Sequence, residues 1–125
     1  MRLAYLDSSV WIAHFEGLPT YKQVINATLN DLSREGWSFC ASEAVLLEVM
    51  TKPYRDKNIA AIKAYNEVFE KTIVLHGFAQ VFENALIIAQ SENLKTMDAI
   101  HLSLAVHHGC KRFVSTDSHF RNLTI

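Results

Sequence analysis

The sequence predicts an α/β fold, a central mainly parallel sheet of four to five strands covered by helices on both faces. Three observations carry this reading. The strand-like runs are four to five residues long and apolar throughout, as suits strands buried on both faces. They alternate with longer segments whose apolar residues recur at helical spacing. The four Gly and two Pro form no linker, so the 125 residues read as a single domain spanning 1–125.

The elements follow in chain order. Leu3 to Leu6 is the first strand. Ser8 or Ser9 caps a helix running to about Glu16, which Gly17, Leu18 and Pro19 end. Thr20 to Glu35 carries Val24, Ile25, Leu29 and Leu32 at helical spacing, with Gly36 as its stop. Trp37 to Ala41 is the second strand. Ser42 caps a helix from Glu43 to Lys52, and Pro53 breaks it. Asn58 to Lys71 is helical through Ile59, Ile62, Tyr65, Val68 and Phe69. Thr72 to His76 is the third strand, and Gly77 leads into a helix to about Glu92. Thr96 caps a helix from Met97 to His108, Arg112 to Ser115 is the fourth strand, and Leu123 to Ile125 is a candidate fifth at the sheet edge.

Composition narrows the function. The chain is 50% hydrophobic and 20% charged, an ordinary balance for a globular protein, and no apolar run reaches membrane-spanning length. The N-terminus lacks a signal-peptide pattern because Asp7 and Ser8 interrupt its apolar region, which points to a cytoplasmic protein. Cys40 and Cys110 have no metal-site spacing and read as two buried free thiols. A net charge of −1 does not indicate a broad basic surface, so a polyanionic substrate would need a local patch or a bound cation.

Four acids stand in costly places. Asp7 follows the first strand and Asp117 the fourth, at the sheet edge where ligands of such folds bind. For each, capping of a turn or helix is the competing reading. Glu48 interrupts the apolar run AVLLEVM and sits on the stripe of Ala44 and Val45, where a charge needs a partner or a metal. Its competing reading is an Arg or Lys partner. Glu43 suits the start of its helix by charge alone. Asp98 lies in the first turn of a helix that is apolar on nearly all sides; stabilisation of the helix dipole is the competing account. His101, three residues on, shares its face and is more simply a satisfied core histidine than a metal or proton-transfer partner of Asp98. His107 and His108 read as dipole partners at the helix end, and His14, His76 and His119 form no metal motif.

Four acids in one cleft would repel unless some are protonated or cations neutralise them. Oxygen-only ligands favour Mg²⁺ or Mn²⁺ over zinc, and such an ion inverts the local field that a phosphodiester meets. In a site of this kind the ion supplies Lewis-acid chemistry for an in-line displacement at phosphorus.

The stretches YLDSSVWI, SEAVLLEV, TMDAIHLSLA and FVSTDSHF, taken in order, resemble the four acidic motifs of PIN domains, and most nearly those of VapC-like toxins of type II toxin–antitoxin systems. The likeness covers almost the whole chain. It implies a three-layer α/β/α sandwich and a metal-dependent endoribonuclease using Mg²⁺ or Mn²⁺. Asp7, Glu48, Asp98 and Asp117 match the family's metal-binding and catalytic acids. Ser9 matches a small polar position that orders the site, and Ser115 a hydroxyl that is usually Thr. The resemblance also implies a homodimer, a cognate antitoxin protein and RNA products with a 5′ phosphate.

The local basic cluster Lys52, Arg55 and Lys57 follows Glu48 and is a candidate for RNA phosphates, with a solvated helix end as the equal alternative. Tyr54 within it is a candidate for base stacking. Two other classes compete with the ribonuclease. A non-catalytic PIN-like module binding RNA or protein predicts a missing acid, and none is missing. An aspartyl-phosphate enzyme of haloacid-dehalogenase type needs a second Asp where Ser9 stands. Neither GxGxxG nor GxxxxGK[ST] occurs, which counts against nucleotide binding by a Gly-rich loop.

Overall fold

A computed structural model describes residues 1–117 and Phe120. The chain runs β1 (Arg2–Leu6), α1 (Ser8–Glu16), α2 (Pro19–Arg34), β2 (Trp37–Ser42), α3 (Glu43–Arg55), α4 (Ile59–Phe69), β3 (Ile73–Leu75), α5 (Ala79–Ser91), α6 (Thr96–His107) and β4 (Arg112–Val114). The expected alternation is therefore present. The candidate strand at Leu123–Ile125 and the histidine at 119 lie outside the described residues.

The four strands pair in the order β3-β2-β1-β4, and every pairing is parallel. β1 lies inside the sheet, with Tyr5 opposite Cys40 on one side and Phe113 on the other. Ala4, Tyr5 and Leu6 are buried, as an interior parallel strand requires. Successive strands move from β1 to β2 to β3, and β4 then returns to the opposite side of β1. The direction of winding reverses between β1 and β4, and the carboxyl ends of those two strands border the crevice where such sheets bind ligands. The backbone there is tied by Asp7 N–H donating to Val114 O at 3.1 Å.

Local chemistry accounts for the helix ends, with three corrections. Asp7 itself caps α1, accepting from the N–H groups of Ser9 (3.1 Å) and Val10 (3.4 Å), so neither Ser8 nor Ser9 is the cap. α3 is capped by Ser42, as expected, but it runs through Pro53 to Arg55. Pro53 lies inside the helix and is buried. α6 begins at Thr96 with Lys95 as an extended N-cap residue and no side-chain cap bond, so Thr96 is not its cap. The stop after α2 is as expected: Gly36 takes a φ of +91°, a left-handed backbone that glycine adopts without strain.

The main core joins β1 and β2 to α1, α3 and α4 through Tyr5, Val10, Trp11, Val45, Val49 and Tyr65. A second cluster joins α5 to α6 through Ala85, Ile88, Ala99 and Leu102. α2 contributes no fully buried side chain; Ile25 and Leu29 are half-buried against the core. α6 is buried on most sides, from Ala99 through Ala105 apart from half-buried Ile100, as its composition predicts, while Val106 emerges into solvent. Cys40 and Cys110 are free thiols with their sulfurs 3.6 Å apart, Cys40 buried and Cys110 half-buried.

Candidate active site

Asp7 stands where β1 ends and α1 begins, at the point where the winding reverses. It is only 4% exposed. The Ser9 hydroxyl donates to its Oδ1, the same oxygen that accepts the two capping N–H groups. Burial pushes the Asp7 carboxyl above its ordinary range; the hydroxyls of Ser115 and Ser9, then His101, pull it partly back. Capping and a buried charge thus coexist at this residue.

Ser9 reaches across the crevice as well. Its Oγ accepts from Thr116 N–H at 3.0 Å and lies 3.5 Å from Ser115 Oγ. Ser115 Oγ in turn accepts from Asp117 N–H at 2.9 Å, closing a tight turn after β4. The end of β4, with half-buried Asp117, is therefore docked on the residues that hold Asp7.

Glu48 is placed differently from the sequence expectation. The buried stripe of α3 is Val45, Val49 and Pro53, at four-residue spacing. Glu48 sits on the flank of that stripe, and its side chain is 35% exposed. It is not sunk in the core, and no Lys or Arg pairs with it among the described residues. Its partners are His101, whose Nε2 contacts Oε1, and Ser8, whose Oγ donates to Oε1 at 2.6 Å. The His101 bond, and secondarily the Ser8 bond, hold the Glu48 carboxyl below its usual range, against the opposing effect of desolvation. Ser8 follows Asp7 directly, so consecutive residues of α1 lead to both acids.

His101 is buried, as the core reading of it expects. Its Nδ1 lies 2.7 Å from Tyr5 Oη, and Tyr5 Oη lies 2.7 Å from Ser42 Oγ. Burial pushes the Tyr5 phenol far above its ordinary range, so it keeps its proton. One donor order that matches every partner runs from the Ser42 hydroxyl to the Tyr5 oxygen, from the Tyr5 hydroxyl to His101 Nδ1, and from His101 Nε2–H to Glu48. Tyr5, Ser8 and Ser42 carry no signal of such a role in the sequence, because each is an ordinary strand or helix-start residue. Asp98 lies one turn before His101 in α6 and is half-buried. Glu43 is a surface acid: its Oε1 accepts from Gly77 N–H at 2.7 Å and its Oε2 lies 3.4 Å from His76.

The donor set suits a hard cation. It is built of carboxylates and hydroxyls, its best-buried acid is raised by desolvation, and no Lys or Arg pairs with Asp7 or Glu48 among the described residues. Among those residues, no three His, Cys, Asp or Glu side chains stand close enough to hold an ion between them. The fit is therefore to an ion taken by one or two carboxylates with waters completing its shell, the usual manner of Mg²⁺. Lys52 and Arg55, both exposed, follow Glu48 at four and seven residues on α3 and continue its face; exposed Lys57 lies just beyond the helix.

A parallel sheet that reverses its winding beside β1, with Asp7 held by Ser9 at the reversal and Glu48 bonded to the adjacent Ser8, defines a doubly wound α/β protein. The family model of the PIN domain matches residues 4–125, and the chain belongs to the PIN-domain family. Solved structures share the fold. A toxin–antitoxin complex from Klebsiella pneumoniae superposes with a TM-score of 0.74 at 20% identity, covering 97% of this chain and 92% of that one. The Mycobacterium tuberculosis toxin VapC20, described as cleaving the sarcin-ricin loop, gives 0.70 at 20% identity over 94% and 92%. VapBC2 from Rickettsia felis, bound to a promoter DNA fragment, gives 0.71 at 12% identity over 98% and 93%. No curated protein matches the chain.

Proposed function

We propose that the protein is a metal-dependent endoribonuclease, the toxin of a toxin–antitoxin pair, with Asp7, Glu48, Asp98 and Asp117 as its acids. The observation that carries this is that buried Asp7 is followed by Ser8, which bonds Glu48, and by Ser9, which bonds the end of β4. Family membership and toxin neighbours of the same fold support the assignment to RNA cleavage by a toxin.

In this reading Asp7 and Glu48 hold Mg²⁺ or Mn²⁺, with Asp98 and Asp117 completing the acidic site. When bound, the ion supplies Lewis-acid stabilisation of charge developing at the phosphate and lowers the pKa of water. The protein's own groups do the rest. Ser9 fixes the rotamer of Asp7 and anchors the β4 turn. Ser8 and His101 fix Glu48. Lys52 and Arg55, with Lys57 beyond them, offer cationic heads to RNA phosphates along the Glu48 face of α3. Glu48 and Asp98 are the candidates for general base. The protein acts in the cytoplasm as a homodimer, and a cognate antitoxin protein restrains it.

Incubation of the purified chain with RNA and Mn²⁺, followed by end-group analysis, tests the chemistry. The expected products carry a 5′ phosphate; a 2′,3′-cyclic phosphate would show that the RNA 2′ hydroxyl is the nucleophile and overturn the mechanism. A second reading, a non-catalytic PIN-like module, draws on the lack of any three-ligand cluster among the described residues. Calorimetry showing no Mn²⁺ binding at millimolar ion would favour it.

A further inference from the structure

Five side chains from five separate elements of the fold form one hydrogen-bonded path. Ser42 closes β2, Tyr5 belongs to β1, His101 to α6, Glu48 to α3, and Ser8 opens α1. Tyr5, Ser42, Ser8 and His101 are all buried, and polar groups in such places are costly unless every donor and acceptor is matched. A core histidine that only satisfied itself would end its bonds on backbone or on other buried groups. This path ends instead on a carboxylate that opens to the crevice. At that end His101 Nε2 and Ser8 Oγ, 3.3 Å from each other, both meet Oε1 and so hold the carboxylate from two sides.

We propose that His101 is a positioning residue: braced by Tyr5 and Ser42, it fixes the Glu48 carboxylate for a divalent cation. The inference rests on the reading of Glu48 as a metal-binding acid and adds what aims it. Tyr5 is a rigid support, because its ring stacks on Phe113 with centroids 5.4 Å apart and planes 7° apart. Its hydroxyl bonds His101 Nδ1, which fixes the ring with Nε2 facing Glu48. Outer hydrogen-bond partners of this kind orient ligating groups, and their loss weakens metal affinity by ~10–100-fold.

The test is calorimetric titration of Mn²⁺ into the full-length protein, with thermal melting as the check on folding. His101→Ala is expected to weaken Mn²⁺ binding by ~10–100-fold. His101→Gln, whose amide nitrogen reaches the place of Nε2, is expected to restore most of that affinity. Tyr5→Phe keeps the stacked ring, removes the hydroxyl, and is expected to weaken binding in the same direction by a smaller factor. Should His101→Ala fail to fold, the Gln and Phe variants decide: Tyr5→Phe must weaken Mn²⁺ binding and His101→Gln must retain it. Wild-type affinity in His101→Ala or Tyr5→Phe, with Glu48→Gln binding weakly, overturns the positioning role and leaves the metal reading intact. Wild-type affinity in Glu48→Gln overturns both.

Discussion

Asp7 and Glu48 are acids shifted in opposite directions, and the difference has consequences for stability. Asp7 is raised above its ordinary 3.8 by burial, which disfavours its charged form. Its contribution to stability is complete below pH 3.8 and is lost as pH rises through the higher folded value. Glu48 is lowered below 4.5, chiefly by His101, so its contribution is present above that value and is lost as pH falls through the folded one. Asp7→Asn keeps a side-chain oxygen for the α1 cap and removes the buried charge. In metal-free buffer at pH 7 it is expected to melt several degrees higher than wild type, ~1 kcal/mol for a domain of this size, with the gap closing toward pH 4. A variant that melts lower at every pH would show that the cap, and not the charge, dominates at this residue. Glu48→Gln should instead melt lower at pH 7, with its deficit narrowing in acid. The place of Asp7 at the end of a buried strand was legible in the sequence. Its capping role was legible only as an alternative, because the same residue type serves both purposes. The His101–Glu48 contact was not legible, since it joins residues far apart in sequence through two helices whose packing no local pattern specifies.

At the scale of elements, α3 carries most of the site's precision. Its first turn is held by Ser42, whose Oγ accepts from Val45 N–H at 3.2 Å while facing Tyr5 Oη at 2.7 Å. One buried hydroxyl thus starts the helix and anchors the path that returns to the same helix at Glu48. Ser42→Ala removes a cap and leaves Tyr5 short of a partner, so it is expected to cost ~1–3 kcal/mol in chemical denaturation. A loss below ~0.5 kcal/mol would contradict the dual role. The capping signal at Ser42 was readable from its position before Glu43 and an apolar run. The extension of α3 past Pro53 was not, because the burial of Pro53 is a tertiary effect that no local pattern encodes. The same holds for Glu48: the run AVLLEVM suggested a core position, yet one residue of helical rotation off the Val45–Val49 stripe moves it to the crevice edge. α6 was readable as a buried helix because its composition is apolar all round.

The whole molecule places its chemistry by topology. Strand order β3-β2-β1-β4 makes the carboxyl ends of β1 and β4 neighbours, and Asp7 and Asp117 follow those two strands. The parallel sheet was legible from short apolar strands alternating with helices, whereas strand order depends on long-range pairing that no single segment encodes. No helix among the described residues is long and apolar enough to cross a membrane. In the proposed function the carboxylates at this reversal cut RNA with a divalent ion. The most direct test is RNA cleavage by purified wild-type protein in Mn²⁺, set beside Asp7→Asn and beside wild type with a chelator in excess. Wild type alone is expected to cleave, with both treatments abolishing cleavage while the fold stays intact by melting. Cleavage that survives Asp7→Asn and chelation would contradict it.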